Sequence, residues 1–429
     1  MSSLRKRLVS ILFWSVISAA FIGPGTLATA SSSGTNFQLQ LVWVLIFATL
    51  ACIVLQEMAA RLTIMSKKDL ITILSEAPSS WPVYAIGLSV VLGCAAYEAG
   101  NILGAIGGLQ LVIDLKGPWL TLLVGVFAAS ILWYGNIAFV AKILGVLVAF
   151  MGVLFLAVAS NVDFQSTELL KGTFIPSIPT GAEWLVLGLI GTTIVPYNLF
   201  LGSGLGHGKS LNDMRFGLIL SVILGGMISI AILIAGTQIT QFLSFTDLAV
   251  LLGDQLGSWA YGFLGLGLFA AGLTSCITAP LAAALIFKVF FKGKHYSSKN
   301  NYYRLGWGIV LLTGIAFGLS EVKPLPIILA AQALNGLILP IVGILLIVKT
   351  NDPTLVKRHT NTLALNILSF IILEILLLIG FNNLWKALES MLGFTLMETT
   401  AFKILLLQLL ALPFLIYTLK TVLQKRHAG

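Results

Sequence analysis

Runs of about 20 apolar residues with almost no charge recur from one end of this 429-residue chain to the other, and each is long enough to cross the hydrocarbon of a bilayer as a helix. Nothing constrains the fold more. Lipid offers backbone amides and carbonyls no partner, so a spanning segment of this length closes its hydrogen bonds within itself. Twelve such runs can be read, at 8–30, 39–60, 82–109, 117–135, 141–160, 182–204, 216–240, 258–287, 305–320, 325–348, 361–381 and 402–419. Composition agrees: 58% of residues are hydrophobic and 10% are charged, against about a quarter charged in soluble domains. The first run is too long for a cleaved leader, and small residues carry it straight into the second, so it is expected to stay in the protein.

The cations orient the spans. With the amino terminus inside, all but five of the 25 Lys and Arg residues fall in inside segments, the exceptions being Lys116, Lys171, Lys323, Lys386 and Lys403. That asymmetry places both termini in the cytoplasm and accounts for the net charge of +9 without a nucleic acid. The expected location is a bacterial inner (plasma) membrane, with lipids as partners and the basic segment 288–304 at the headgroups. Cys52, Cys94 and Cys276 lie inside spans and read as small core residues rather than disulfides or a metal cluster. His207, His295, His359 and His427 fall in loops or the tail, so no imidazole stands at membrane depth. No nucleophile, paired acids or cofactor motif stands out, and the chain does not read as an enzyme.

The sequence reads as one transmembrane domain, with the polar stretches 161–181 and 288–304 as ordinary loops between spans. Two spans are interrupted: the first at Gly23-Pro24-Gly25, the sixth at Pro196. Proline removes a donor and glycine lets the helix unwind, and the freed backbone groups are tolerated at mid-bilayer only where they line a cavity or are buried in protein. Each break opens a group of five spans, at 8–160 and 182–348, with two additional spans over 361–419. Matching interruptions in two halves point to an inverted repeat with its binding site at the breaks, the pattern of a secondary transporter.

The residues around the breaks resemble a known family. Gly23 to Leu62, beginning Gly-Pro-Gly-Thr and ending Gln-Glu-Met-Ala-Ala-Arg-Leu, is similar to the first two helices of the NRAMP family of proton-coupled divalent metal transporters. That family has Asp-Pro-Gly-Asn at the start and Gln-Glu-Leu-Ala-Ala-Arg-Leu at the end. Gly191 to Ser203 resembles the family's sixth span, Gly267 to Thr278 its eighth, and Gln332 to Pro340 its tenth. The resemblance implies an all-α membrane protein of about twelve transmembrane helices, with a LeuT-like five-plus-five inverted repeat and broken helices 1 and 6.

Departures from the family carry the functional reading. Gly23 and Thr26 stand where the family has its metal-binding aspartate and asparagine, Val195 where it has its methionine, and Tyr197 and Gly202 where it has two histidines. In the third span Glu98-Ala99-Gly100-Asn101 replaces Asp-Leu-Ala-Glu. A divalent ion stripped of water normally takes at least one carboxylate, and neither break supplies a charge. Half-helices starting near Thr26 and Asn198 would instead aim amide donors and positive dipole ends at the gap. The expected substrate site is Gly23, Pro24, Gly25, Thr26, Thr29, Thr192, Thr193, Val195, Tyr197, Asn198 and Gln332. Ser31, Ser32 and Ser33, nearer the outer end, read as packing residues.

Thr274, Ser275 and Thr278 face the first break in this reading, and in transporters of the same architecture a Thr-Ser pair there helps to form a sodium site. Glu98, with Asn101, is the acid placed for coupling or gating, while Glu57 and Arg61 are spaced as an ion pair. The expected function is import of a small anion by sodium symport. Bicarbonate is favoured because divergent NRAMP relatives are regarded as bicarbonate carriers and the loss of the aspartate fits. A divalent cation carrier for magnesium or manganese is the alternative, and a sensor or scaffold on a transporter fold, which an appended regulatory domain would mark, is a second. No cofactor is expected beyond a sodium ion, and the chain is expected to act as a single copy.

Overall fold

Apolar runs that must satisfy their own backbone form helices here from end to end. The computed structural model describes residues 22–76, 81–113, 117–134, 137–205, 210–291, 301–320, 322–392 and 400–427, and among them no strand occurs. In chain order the helices are α1 (Pro24–Phe37), α2 (Val42–Ser66), α3 (Leu70–Glu76), α4 (Trp81–Val112), α5 (Trp119–Tyr134), α6 (Ile137–Ser160), α7 (Ser166–Phe174), α8 (Glu183–Thr193), α9 (Pro196–Leu205), α10 (Leu211–Gly236), α11 (Phe245–Leu256), α12 (Ser258–Ile286), α13 (Asn301–Leu319), α14 (Pro324–Thr350), α15 (Pro353–Val356), α16 (Leu363–Leu392) and α17 (Thr400–His427). Ten helical stretches among the described residues are long and apolar enough to cross a membrane. One of these, Pro24–Ser66, is α1 and α2 taken together, and the 16-residue α5 is too short to be counted, so the ten match the twelve runs read above. The amino-terminal half of the first run lies outside the described residues, as do His207, His295 and most of the basic segment 288–304.

The second interruption parts α8 from α9, the first lies at the edge of the described residues, and at both the proline starts a helix. Pro24 and Pro196 each open a helix, where a missing amide costs nothing and the fixed φ suits the first turn. The half-helices therefore begin two residues before the expected Thr26 and Asn198. At its far end α1 stops at Gln38, whose φ of 51° turns the chain through a short 3-10 segment into α2.

Packing divides the spans. α4 and α12 form the most extensive pair, with α13 also against α4, while α10 packs on α1, α2 and α6, and α14 lies between α8 and α4. Where α4 meets α12, Gly108 and Gly265 bring the two backbones close, as expected for helices that associate without a hydrophobic driving force. The outer faces of α5, α6 and α17 expose Leu122, Val126, Ile143, Val146, Leu405 and Leu409 to lipid. Lys386 pairs with Glu183 at 3.7 Å, joining two helix ends on the outer side, and Arg304 stacks 4.0 Å over Trp133 at two inner ends, both as the charge asymmetry predicts.

Two helices correct the reading of loops. Residues 161–181 contain α7, and a second extramembrane helix, α11, follows α10. Ser244 and Asp247 cap the start of α11 reciprocally, and Phe245, Leu248, Ala249 and Leu252 bury one face. Its S-x-x-D start was legible in the sequence as a capping box.

Candidate functional site

At the centre of the fold the two breaks meet. Thr26 of α1 and Thr192 of α8 share a hydroxyl hydrogen bond of 2.9 Å across 166 residues. Gln332 of α14 lies over both: a Cβ on Gly25 would stand 2.0 Å from Gln332 Nε2, and one on Gly191 would stand 2.0 Å from the Gln332 carbonyl. At Gly191 a side chain would strike backbone, so glycine is required there for α8 and α14 to approach, while at Gly25 the end of the Gln332 side chain fills the space. Ser275 Oγ of α12 lies 3.7 Å from where a Gly23 Cβ would be, so the eighth span does face the first break. Tyr197 stands edge-on to Tyr97 of α4, with ring centroids 5.4 Å apart. Thr26, Thr192, Val195, Tyr197, Asn198 and Gln332 are all buried.

The polar groups here fall into two kinds. Several spend their donors on their own helix: Thr29 on Gly25 O at 2.8 Å, Thr193 on Leu189 O at 2.8 Å, and Thr274 on Ala270 O at 2.7 Å. Thr278 reaches Ser275 O at a long 3.4 Å. Ser33 likewise bonds Thr29 O, whereas the buried Ser31 Oγ makes no hydrogen bond. A second group makes no well-formed hydrogen bond: Tyr97 OH, Tyr197 OH, Asn198 Nδ2, Gln332 Oε1 and, one turn further along α14, Asn335 Nδ2. The Tyr97 hydroxyl lies toward Thr192 and Gln332 and that of Tyr197 toward Thr278. Buried polar groups are normally bonded, and a cluster left open is bonding capacity held for something else.

Electrostatically the site is uncharged but not featureless. No Asp or Glu occurs from Gly23 to Gln56, between Glu183 and Asp213, or anywhere in α12 and α14. The positive ends of α1 and α9 lie at the break together with the negative end of α8, which finishes at Thr193, so the dipole field is mixed rather than purely anion-attracting. Glu98 is fully buried yet stands apart: it packs on Gly314 of α13 and accepts a 3.3 Å bond from Asn101 Nδ2, with Cys276 nearby. The three cysteines are free and buried, and among the described residues no group of three His, Cys, Asp or Glu side chains could hold a metal. On the outer side a cavity of about 140 Å³ is lined by Gly107, Gln110, Ser244, Thr246, Tyr261 and Pro324. It sits one turn along α4 from Gly104, against which Pro24 packs.

Sequence reasoning missed Tyr97 and Asn335. Both are polar groups in apolar spans, adjacent to or three residues from positions that were singled out, and their depth alone was a signal.

Similarity to known proteins fits this geometry. Residues 15–386 match the family model described as natural resistance-associated macrophage protein-like, Nramp. A divalent metal cation transporter MntH from Klebsiella pneumoniae (strain 342) is 25% identical over 398 residues, covering 88% of this chain and 93% of that protein. The structure of the Eremococcus coleocola manganese transporter in complex with an aromatic bis-isothiourea substituted compound superposes with a TM-score of 0.76 at 20% identity, over 99% of this chain and 95% of that one. Mhp1, a nucleobase-cation-symport-1 family transporter in a closed conformation, superposes at 0.54 with 14% identity over 96% and 93% of the two chains. With the family model spanning most of its length and the broken-helix fold in place, the chain belongs to the natural resistance-associated macrophage protein-like (Nramp) family and is a multi-pass secondary transporter of that type.

Proposed function

We propose that the cargo is a small inorganic anion, bicarbonate foremost, imported with sodium as the break opens alternately to the two sides of the membrane. The observation that carries this reading is the set of buried donors without partners, Tyr97 OH, Tyr197 OH and Asn198 Nδ2, beside a break with no carboxylate. Bicarbonate is planar, singly charged and rich in acceptors, so it would satisfy these donors and accept the positive ends of α1 and α9. Sodium between the first break and Ser275, with Thr274 and Thr278 lending oxygen lone pairs, would offset the anion's charge. Glu98, off the cargo site but buried beside α12, is the group placed to couple or gate.

A second reading, a divalent cation such as manganese or magnesium, is favoured by the names of the relatives, a divalent metal cation transporter and a manganese transporter. Gln332 Oε1, unpartnered, and the carbonyl end of α8 are the acceptors it would use. With no charged ligand, such an ion would keep part of its water. Flux into proteoliposomes separates the two: labelled bicarbonate, Mn²⁺ and Mg²⁺ are compared with and without a sodium gradient. Sodium-dependent bicarbonate uptake supports the anion, whereas metal flux indifferent to bicarbonate and sodium overturns it in favour of the cation. Flux of none of them would return the sensor or scaffold.

A further inference from the structure

The cytoplasmic face holds a second buried polar cluster that cargo chemistry does not use. Arg61, near the inner end of α2, donates to Glu57 Oε2 at 3.1 Å, to the His359 carbonyl and to Asn361 Oδ1. Arg215 of α10 takes the other oxygen of Glu57 at 2.7 Å. The acceptors on the far side belong to the connector between α14 and α16. Asn361 Nδ2 donates to Asn366 Oδ1 at 3.0 Å, and Asn366 Nδ2 to Asn351 Oδ1 at 3.0 Å. From α17, which lies outside both repeats, Arg426 donates through Nε to Asn351 Oδ1 at 2.8 Å and through a terminal nitrogen to the Asn361 carbonyl. Asn361 is therefore held twice, by Arg61 on its side chain and by Arg426 on its backbone.

We infer that Arg426 is a positioning residue for transport: the last turn of α17 holds Asn361 where it receives Arg61, and so sets how firmly the inner face closes. α2 and α10 pack together around α1, whereas Asn351, Asn361 and Asn366 sit on α14, its connector and α16. Alternating access moves one group of spans against another around the site. Any opening of the break toward the cytoplasm that parts α2 from this connector must break the Arg61 bonds to His359 and Asn361. The Glu57 pairs with Arg61 and Arg215 lie within the α2 and α10 unit and travel with it. The lock thus has a moving half, already assembled by Glu57, and a receiving half whose shape depends on Arg426. Because Arg426 reaches the network from the exposed end of the chain, its loss leaves the buried pair Glu57–Arg61 intact, and the effect falls on the conformational equilibrium rather than on the fold. The inference stands whichever ion is carried.

The test uses the full chain in proteoliposomes, with Cys52, Cys94 and Cys276 replaced by alanine and Val195→Cys as a reporter at the break. Labelling by a membrane-impermeant thiol reagent from the cytoplasmic side reads the inward-open fraction. Arg426→Gln is expected to speed labelling roughly tenfold, about the equilibrium shift from one lost hydrogen bond to a charged group, and Arg426→Lys to return it most of the way to the parent rate. Added to Asn361→Ala, Arg426→Gln is expected to change labelling no further, because it acts through that residue. Unchanged labelling in Arg426→Gln overturns the inference. So does a lowered melting temperature with unchanged labelling, which marks a purely structural contact, or an additive effect on the Asn361→Ala background.

Discussion

The break and the cytoplasmic cluster are both buried and polar, yet they are built on opposite terms. At the break every side chain is uncharged and several donors and acceptors have no partner. At the inner end of α2 and on the connector that leads to α16, Glu57, Arg61 and Asn361 are charged or amide groups with each main contact made. An isolated charge in the interior costs several kcal/mol or more; at the cytoplasmic cluster the fold completes the circuit, whereas the buried Glu98 of α4 has Asn101 on one oxygen and no partner on the other. A neutral hydroxyl or amide left open costs about 1–3 kcal/mol, a penalty the fold can carry and a ligand can relieve. The contrast is what the proposals rest on: closure at the paired cluster, binding at the open one.

Breaking that contrast on the paired side has the largest expected effect. Arg61→Ala would leave His359 O and Asn361 Oδ1 without their donor and half of Glu57 uncompensated. The expected loss is about 3–5 kcal/mol of stability, the range for one partner of a buried pair. Thermal denaturation in detergent checks it, and a variant that melts with the parent would show that the cluster is not the tightly coupled unit described.

How much of this was legible differs between the two regions. Span positions came through because lipid demands about 20 apolar residues of each, and ends such as Ser258 and Leu319 fall within a few residues of the reading. The Glu57–Arg61 pair was visible because it is local, four residues apart on one helix. Asn361 and Arg426 were not, since partners 300 and 65 residues away leave no periodic trace. At the break, proline and glycine marked where the helices start, and the two-halves argument placed Thr26 and Thr192 in one region, where they share a hydrogen bond. Thr29 and Thr193 were singled out for cargo and Thr274 for the coupling ion; in a helix a threonine hydroxyl can turn its proton to the carbonyl four residues earlier, and all three do, which leaves each oxygen its lone pairs.

On the open side the next effect is on transport. Thr26→Asp would place a carboxylate against Thr192 and beside the unpartnered donors. Bicarbonate uptake is expected to fall at least tenfold, about 1.4 kcal/mol of lost binding, through repulsion and because the new acceptor occupies donors meant for cargo. Initial rates in proteoliposomes measure it, with Mn²⁺ uptake alongside. A gain of Mn²⁺ flux would favour the cation reading, and unchanged bicarbonate uptake would place the substrate elsewhere.

Tyr197→Phe sharpens the same side by removing one open hydroxyl and little else. Because that hydroxyl makes no well-formed hydrogen bond and only lies toward Thr278, the melting temperature should stay close to the parent's. Cargo affinity should weaken by roughly 2- to 12-fold, the worth of a typical hydrogen bond of about 0.5–1.5 kcal/mol. A KM that stays put while stability drops would mean the hydroxyl serves the fold after all.

The smallest effect tests the edge of the paired cluster, where burial gives way to solvent. Asp352 caps α15 through Thr354 N at 3.0 Å and pairs with the half-exposed Lys425 at 2.9 Å. Burial acts to raise its carboxyl, but hydrogen bonds from Thr354 and Lys425 outweigh it and hold the group below its ordinary value of 3.8. A carboxylate lowered in the folded state contributes stability that is fully present above that ordinary value and is lost as the pH falls through the lowered one. Asp352→Asn keeps the cap and removes the charge. Near neutral pH it should cost well under about 1 kcal/mol, as pairs with a solvent-exposed partner do, and the gap from the parent should close only in acid, below 3.8. Melting curves across that range decide it: a difference that stays constant with pH would mean the cap, and not the Lys425 pair, is what Asp352 provides to the cluster.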